Sequence, residues 1–140
     1  MKNLCPALHE YFNSLKRFSY PIDKDRIPKN GIYIVFEKGE TAHSGDRIVR
    51  IGTHTGQDRL YLRLKSHFIE EKKDFSIFRK NIGRALLNKA NDPFLKYWNI
   101  DLVTHAAKIK YAAQIDLEYQ AEIEKRVSDY LRDSFSFTVC

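Results

Sequence analysis

Residues 30–52 read NGIYIVFEKGETAHSGDRIVRIG, and this stretch decides the fold. The runs GIYIVFE and RIVRIG are rich in β-branched or aromatic residues, which is typical of strands. The segment between them, KGETAHSGD, is rich in residues that form turns. Two such runs joined by a turn predict an antiparallel β-hairpin.

The chain on both sides of this hairpin has apolar residues at helical spacing. Before the hairpin, CPALHEYFNSLKRF predicts a helix and the proline-containing SYPIDKDRIPKNG predicts a linker. After it, DRLYLRLKSHFIEEK and SIFRKNIGRALLNKA each predict a helix, with Ser76 as the N-cap of the second. Further on we expect a short helix in NDPFLKYWN, a strand in IDLVTHAAKIKYAA, a long helix in IDLEYQAEIEKRVSDYLRDS and a closing strand in FSFTVC. This order predicts an α+β fold with a small, mostly antiparallel β-sheet flanked by helices.

The length of 140 residues predicts a single domain over 1–140, with an N-terminal helix and linker at 1–26 and a core at 27–139. No apolar run approaches the roughly 20 residues that span a bilayer, so we expect no membrane partner. The first residues lack the apolar core and cleavage site of a secretory signal, which predicts a cytoplasmic protein. Cys5 and Cys140 lack CxxC spacing, and we expect no histidine cluster beside either of them. They therefore predict neither a zinc site nor a disulfide.

The balance of charge is basic. The formal net charge of +6 and the pI near 9.3 suit a polyanionic partner such as nucleic acid. Lys and Arg alternate with aromatic residues in RLYLRLKSH and IEEKKDFSIFRKNIGR, a pattern that suits a surface facing phosphates. Solvated helix faces would show the same pattern, so composition leaves both interpretations open.

Three short motifs follow one another along this part of the chain. Gly31-Ile32-Tyr33 lies on the first predicted strand, Arg50-Ile51-Gly52 on the second, and Arg63-x-x-x-His67 on the next predicted helix. In this order they resemble the GIY-YIG nuclease family, with RIG here in place of YIG. SIFRKNIGRALL and IEKRVSDYLRDSFSF are similar to segments of a stand-alone branch whose second motif reads Arg-x-Gly-Thr-His. The resemblance covers roughly residues 27 to 139.

The resemblance implies a metal-dependent endonuclease that hydrolyses phosphodiester bonds in nucleic acid, with DNA as the expected partner. It implies that Tyr33 takes a proton from the attacking water, as a base or a relay. Arg63 and His67 are four residues apart on a predicted helix, so both side chains emerge on one face. There the guanidinium could bind two phosphate oxygens while the imidazole relays a proton.

Glu124 is the expected ligand of a single Mg²⁺ (or Mn²⁺), which prefers hard oxygen ligands and completes its shell with phosphate and water. In the family the glutamate is followed at the third position by an apolar residue, then by the end of the helix and a closing strand, and Glu124 with Val127, Leu131 and Phe135 matches this order best. Glu118 and Glu122 lie on the same predicted helix and are alternatives. A solvated Glu124 that pairs with Lys125 or Ser128 would need no metal.

Arg50 takes the place of the second tyrosine, so it cannot act as a phenol. It could stabilise an ionised Tyr33 or hold the scissile phosphate, and His54 could reach the same cleft as a base or phosphate donor. Four residues of the predicted helix after residue 75 could bind the nucleic-acid backbone: Ser76, Arg79, Lys80 and Arg84. A solvated basic face is the alternative for that helix.

The alternative function is a catalytically inactive nucleic-acid-binding or adaptor module that retains the fold, with Arg50 as the mark of lost chemistry. The sequence favours the enzyme, because a module that needs only charge has little reason to combine Tyr33 with a carboxylate suited to a metal. The oligomeric state stays open, since Tyr97 and Trp98 suit either a core or an interface between copies.

Overall fold

The computed structural model describes residues 3–140. These residues form two compact units, one made of residues 3–64 and 130–140 and the other of residues 65–129. The first unit contains the whole β-sheet, and most of the helical residues belong to the second. Within residues 3–140, none of the helices is apolar over enough of its length to cross a bilayer. The α+β class predicted from the sequence is confirmed.

The sheet of the first unit has four strands in the order β1-β4-β2-β3, and every neighbouring pair is antiparallel. The predicted hairpin and the predicted closing strand are both confirmed. The strands are β1 (Phe18–Ser19), β2 (Tyr33–Ala42), β3 (Gly45–Gly52) and β4 (Phe135–Val139).

Strand β2 lies between β4 and β3, so its first residues are covered on both edges. Its run from Tyr33 to Phe36 is continuously apolar, and all four side chains are buried. Such a run is typical of a strand with both faces covered, whereas a half-exposed strand alternates. This burial explains why GIYIVF could be recognised as a strand from its apolar run.

Helix α1 (Cys5–Ser14) belongs to the first unit and packs against β3. The predicted helix is confirmed but ends earlier than its apolar spacing suggested, because Phe18 belongs to β1. None of its residues is buried, and Leu8 and Tyr11 are about half exposed. Strand β1 therefore crosses the predicted boundary between helix and linker, and the predicted linker also contains a 3-10 turn at Lys24–Arg26.

The remaining helices begin with α2, which carries the Arg63-x-x-x-His67 motif. They are α2 (Leu60–Phe68), α3 (Ile77–Lys89), α4 (Leu95–Trp98), α5 (His105–Tyr111) and α6 (Leu117–Ser134). Ser76 caps α3, because its Oγ accepts the backbone N–H of Arg79 at 3.2 Å, as the sequence predicted.

The strand predicted in IDLVTHAAKIKYAA is wrong, because the structure has α5 there. Thr104 supplies the reason, since its Oγ1 accepts the N–H of Ala107 at 3.1 Å and starts a helix. The alanines that follow favour the helical state more strongly than Ile100 to Val103 favour a strand. A capping residue therefore outweighed a short β-branched run.

Trp98 forms the core of the second unit rather than an interface. Its side chain is fully buried, and its Nε1–H donates to the carbonyl of Lys80 at 2.9 Å. The indole lies so close to α3 that a Cβ placed on Gly83 would overlap its ring atoms. Gly83 therefore provides the space for Trp98, although glycine is unfavourable inside a helix.

We expect Gly83→Ala to lower the free energy of unfolding by about 1–3 kcal/mol in urea denaturation, because the added methyl group overpacks the core. Helix propensity alone predicts the opposite, namely that Gly83→Ala raises the free energy of unfolding. The matched control is Asn88→Ala at an exposed position of α3, which should cost nothing measurable. In a Trp98→Phe background the penalty of Gly83→Ala should shrink, and a stabilising Gly83→Ala would contradict this packing.

Candidate active site

The two tripeptides of the resemblance pair directly across the β2–β3 hairpin. Tyr33 lies opposite Gly52, and Ile34 lies opposite Ile51. A Cβ placed on Gly52 would overlap Cζ and the hydroxyl oxygen of Tyr33, so the phenol crosses the backbone where a side chain would stand. The ring of Tyr33 has no exposed surface. Glycine at position 52 is therefore required for this placement of the phenol.

Arg50 lies on the same face of the sheet as Tyr33. Arg50 pairs with Val35, and residues two apart on one strand point to the same side. Arg50 is half-buried, whereas its neighbour Ile51 points to the other face and is 60% exposed. The residue that replaces the second tyrosine thus presents a permanent positive charge on the face that carries the phenol.

His54 connects the loop before β2 to the loop after β3. Its Nδ1 lies 2.9 Å from the carbonyl oxygen of Gly56, and its Nε2 lies 3.3 Å from the backbone nitrogen of Gly31. Since the carbonyl must accept and the N–H must donate, Nδ1 carries the proton and Nε2 is the acceptor. His54 could act as a base through Nε2 only by giving up its bond to Gly31.

The same two loops are held together by residues that the sequence did not single out. The side chain of Asn30 donates to Asp58 Oδ1 at 2.8 Å and accepts the backbone N–H of Asp58 at 2.8 Å. The N–H of Leu60, the first residue of α2, donates to the carbonyl of Lys29 at 3.1 Å. Asn and Asp are common in turns, and this preference is the signal in the sequence that could have pointed to Asn30 and Asp58. These bonds fix the start of β2 and the start of α2, which carries the half-buried Arg63.

His67 is fully buried in the second unit. Its Nδ1 lies 2.6 Å from Ser76 Oγ, and its backbone carbonyl accepts Nη1–H of Arg79 at 3.2 Å. The ring also meets Phe78 edge to face, with centroids 5.6 Å apart. These contacts fix the orientation of the imidazole.

Glu124 and Arg79 form a buried ion pair in the second unit. The guanidinium donates twice to Glu124 Oε2, from Nη2 at 2.7 Å and from Nε at 3.1 Å. Nη2 also reaches Ser128 Oγ at 2.9 Å, and the backbone N–H of Lys73 donates to Glu124 Oε1. Arg79 has no exposed surface and Glu124 is 4% exposed, so neither is the solvated residue that the alternative interpretation requires.

The expectation that Arg79 contacts nucleic acid does not fit this geometry, because its guanidinium is used inside the protein. Lys80 is half-buried and donates to Asp74 Oδ1 at 3.1 Å, so its charge is already paired. Arg84 differs from both, since the two partners of its guanidinium are the neutral side chains of Asn99 and Asn81. Arg84 keeps an uncompensated charge that can serve an anion.

Lys73 and Asp74 form a second charged pair, beside Lys80. Burial lowers the pKa of Lys73 despite its hydrogen bond to Asp74 at 2.7 Å. Burial would raise the pKa of Asp74, but hydrogen bonds from Lys73, Lys80 and the N–H of Leu102 outweigh it and hold that pKa below its usual value. Asp74 is therefore committed to these donors as an ionised carboxylate.

Glu124 lines a cleft of about 450 Å³ within the second unit, together with Glu71, Lys72, Lys73 and Lys108. The whole residue is only 4% exposed. Its carboxylate accepts three hydrogen bonds, two at Oε2 and one at Oε1, out of about four lone-pair positions on a carboxylate. One position on Oε1 remains for a hard cation. The donor set thus fits a single monodentate contact to Mg²⁺ or Mn²⁺. Glu118 and Glu122 are exposed.

We expect Glu124→Gln to lower the free energy of unfolding by about 3 kcal/mol or more, because it leaves the buried charge of Arg79 uncompensated. The matched control is Glu122→Gln on the exposed side of α6, which should stay within about 0.5 kcal/mol of wild type. Chemical denaturation measures both. Equal stability of the two variants would show that the pair contributes no stability.

A family model for the GIY-YIG domain matches residues 3–139. No curated protein and no solved structure matches the chain. The matched residues include both paired tripeptides, the Arg63-x-x-x-His67 motif and Glu124. On this match over nearly its whole length, the chain belongs to the GIY-YIG domain family, a family of endonucleases that generally depend on a divalent metal.

Proposed function

We propose that this protein is an endonuclease that hydrolyses phosphodiester bonds, with DNA as its substrate. Family membership supports the nuclease class. The observation that carries the proposal for this chain is the pairing of Tyr33 with Gly52, with Arg50 on the same face of the sheet. That arrangement combines a proton acceptor and a fixed positive charge, two groups that phosphodiester hydrolysis needs.

In this proposal Tyr33 acts as a phenolate whose oxygen receives a proton from the attacking water, which leaves a neutral phenol. Arg50 stabilises the negative charge that the oxygen carries before this transfer, because a guanidinium stays protonated at any working pH. His54 orders the loop that carries Gly31, through the hydrogen bonds of its two ring nitrogens. His54 is therefore a positioning residue here, with a role as a base only if Nε2 is released.

Arg63 would hold two non-bridging oxygens of the scissile phosphate, since the planar guanidinium fork matches them. Its charge then stabilises the extra negative charge of the pentacovalent phosphate. His67 is the proposed proton relay through Nε2, because the bond from its Nδ1 to Ser76 fixes the direction of the ring. Arg84 would contribute affinity for the phosphate backbone rather than sequence discrimination.

Glu124 would hold Mg²⁺ or Mn²⁺ through Oε1. When bound, such an ion supplies positive charge that polarises a phosphoryl oxygen. Because Oε1 offers one position and Arg79 places a positive charge on the other oxygen, the free protein should bind the ion weakly. Nucleic-acid phosphate and water would have to provide the other ligands.

A second candidate function is a nucleic-acid-binding module without hydrolysis. The full burial of Tyr33 favours it, because a catalytic phenol must be reached by water. The ion pair between Glu124 and Arg79 also favours it, since a purely structural carboxylate would be held in the same way.

The two functions differ in a nicking assay on supercoiled plasmid with Mg²⁺, with Mn²⁺ and with EDTA. We expect the wild type to relax the plasmid with either metal, and EDTA to abolish the reaction. Tyr33→Phe should slow nicking by about 10²- to 10⁴-fold, the usual contribution of a general base. The matched control is Tyr11→Phe on α1, an exposed tyrosine that should nick like the wild type.

A gel-shift assay on the same plasmid completes this test. A wild type that binds DNA but never nicks it would establish the binding module in place of the enzyme. Nicking by Tyr33→Phe at the wild-type rate would remove Tyr33 from the mechanism.

In the gel-shift assay Arg84→Ala should weaken binding to DNA of all sequences and reduce the salt dependence of binding by about one phosphate contact.

A further inference from the structure

Three side chains with metal-binding atoms meet in the first unit, and none of them has a part in the proposed nuclease. They are Cys5, His9 and His43, whose candidate ligand atoms all lie within 4.8 Å of one another. Cys5 Sγ is 3.2 Å from His43 Nε2 and 3.6 Å from His9 Nδ1. In tetrahedral zinc sites the bond lengths place sulfur and nitrogen ligands about 3.6 Å apart. The thiol is thus already at ligand distance from both imidazoles. His9 Nδ1 also lies 3.0 Å from the carbonyl oxygen of Cys5, so it must give up that hydrogen bond and its proton when it binds an ion.

The chain positions of these residues explain why they meet. Cys5 is the first residue of α1 and His9 follows one turn later, so both lie on one side of the helix. His43 comes from the turn between β2 and β3, 38 residues from Cys5. The expectation that no histidine cluster lies beside either cysteine is therefore wrong for Cys5.

The helix and the turn are held together before any ion binds. The side chain of Asn13 on α1 accepts the N–H of Asp46 at 3.0 Å and donates to its carbonyl at 3.0 Å. Arg17 donates to the carboxylate of Asp46 at 3.1 Å. Asp46 is the second residue of β3, directly after the turn. The distance between His43 and α1 is thus fixed by contacts that do not involve the cluster.

The hairpin turn between β2 and β3 positions His43. His43 and Ser44 form a two-residue hairpin turn and have φ values of 51° and 64°. Such turns favour Asn and Gly, because a larger side chain is unfavourable at positive φ. The imidazole of His43 is the group that this turn presents to Cys5.

We propose that Cys5, His9 and His43 bind a Zn²⁺ ion. One thiolate and two imidazoles suit this borderline-soft ion and suit Mg²⁺ poorly. The fourth position is left for water or for the carboxylate of Glu10, which lines a cleft of about 520 Å³ together with His9 and His43. Binding joins α1 to the hairpin and releases the thiol proton. The site is independent of the nuclease proposal and of Glu124.

The test uses the full chain, reduced with a phosphine, and Co²⁺ as a spectroscopic substitute for Zn²⁺. We expect a thiolate-to-Co²⁺ absorption band that saturates at one ion per chain and disappears when Zn²⁺ is added. A large excess of Mg²⁺ should leave the band unchanged. Zn²⁺ should also raise the midpoint of thermal unfolding, because it binds the folded state preferentially.

Two variants locate the site. Cys5→Ser should abolish the band, and His43→Asn should weaken binding by at least about tenfold while keeping the turn, since Asn tolerates positive φ. The matched controls are Cys140→Ser and His105→Asn, which change an exposed cysteine and an exposed histidine and should bind like the wild type. A wild type without the band, or equal binding by Cys5→Ser and Cys140→Ser, would overturn the proposal.

Discussion

The phenol of Tyr33 fits against the sheet only because residue 52 has no side chain. This constraint fixes the register of the hairpin, since a slip of one residue would place Tyr33 opposite a side chain and turn its ring to the other face. The register in turn places Arg50 on the same face of the sheet as the phenol of Tyr33. The second tripeptide can therefore change its first residue from Tyr to Arg without changing the fold, because residue 50 is only half-buried. Gly52 cannot be replaced so freely, because any side chain at that position would overlap the phenol of Tyr33.

In the second unit the corresponding constraint is the charge of Arg79. A guanidinium with no exposed surface must be neutralised and hydrogen-bonded, and Glu124, Ser128 and the carbonyl of His67 do this. The same carboxylate is the proposed metal ligand, so one residue serves charge balance and, in the proposal, catalysis. A variant of Glu124 that loses activity is therefore informative only when its stability is measured as well.

Local sequence predicted most of the fold. The hairpin followed from an uninterrupted apolar run and a turn, and Ser76 followed from its place before a helical pattern. The strand wrongly predicted for residues 100–113 shows the limit of that approach, because one capping threonine, Thr104, decided the local structure. Arg79 looked like a member of a solvated basic face, since its partner Glu124 is 45 residues away. The cluster of Cys5, His9 and His43 was missed for the same reason, because local patterns do not contain contacts made across the fold.

We propose that the phenol held over Gly52 is the reactive group of an endonuclease. The nicking rate of Gly52→Ala on supercoiled plasmid tests it most directly, because the added methyl group displaces the hydroxyl of Tyr33 while every candidate catalytic side chain stays present. Ile51→Ala, on the exposed face of the same strand, is the matched control, and circular dichroism shows whether each variant is folded. We expect folded Gly52→Ala to lose nicking by about the same factor as Tyr33→Phe, and Ile51→Ala to nick like the wild type. Folded Gly52→Ala with the wild-type rate would contradict it.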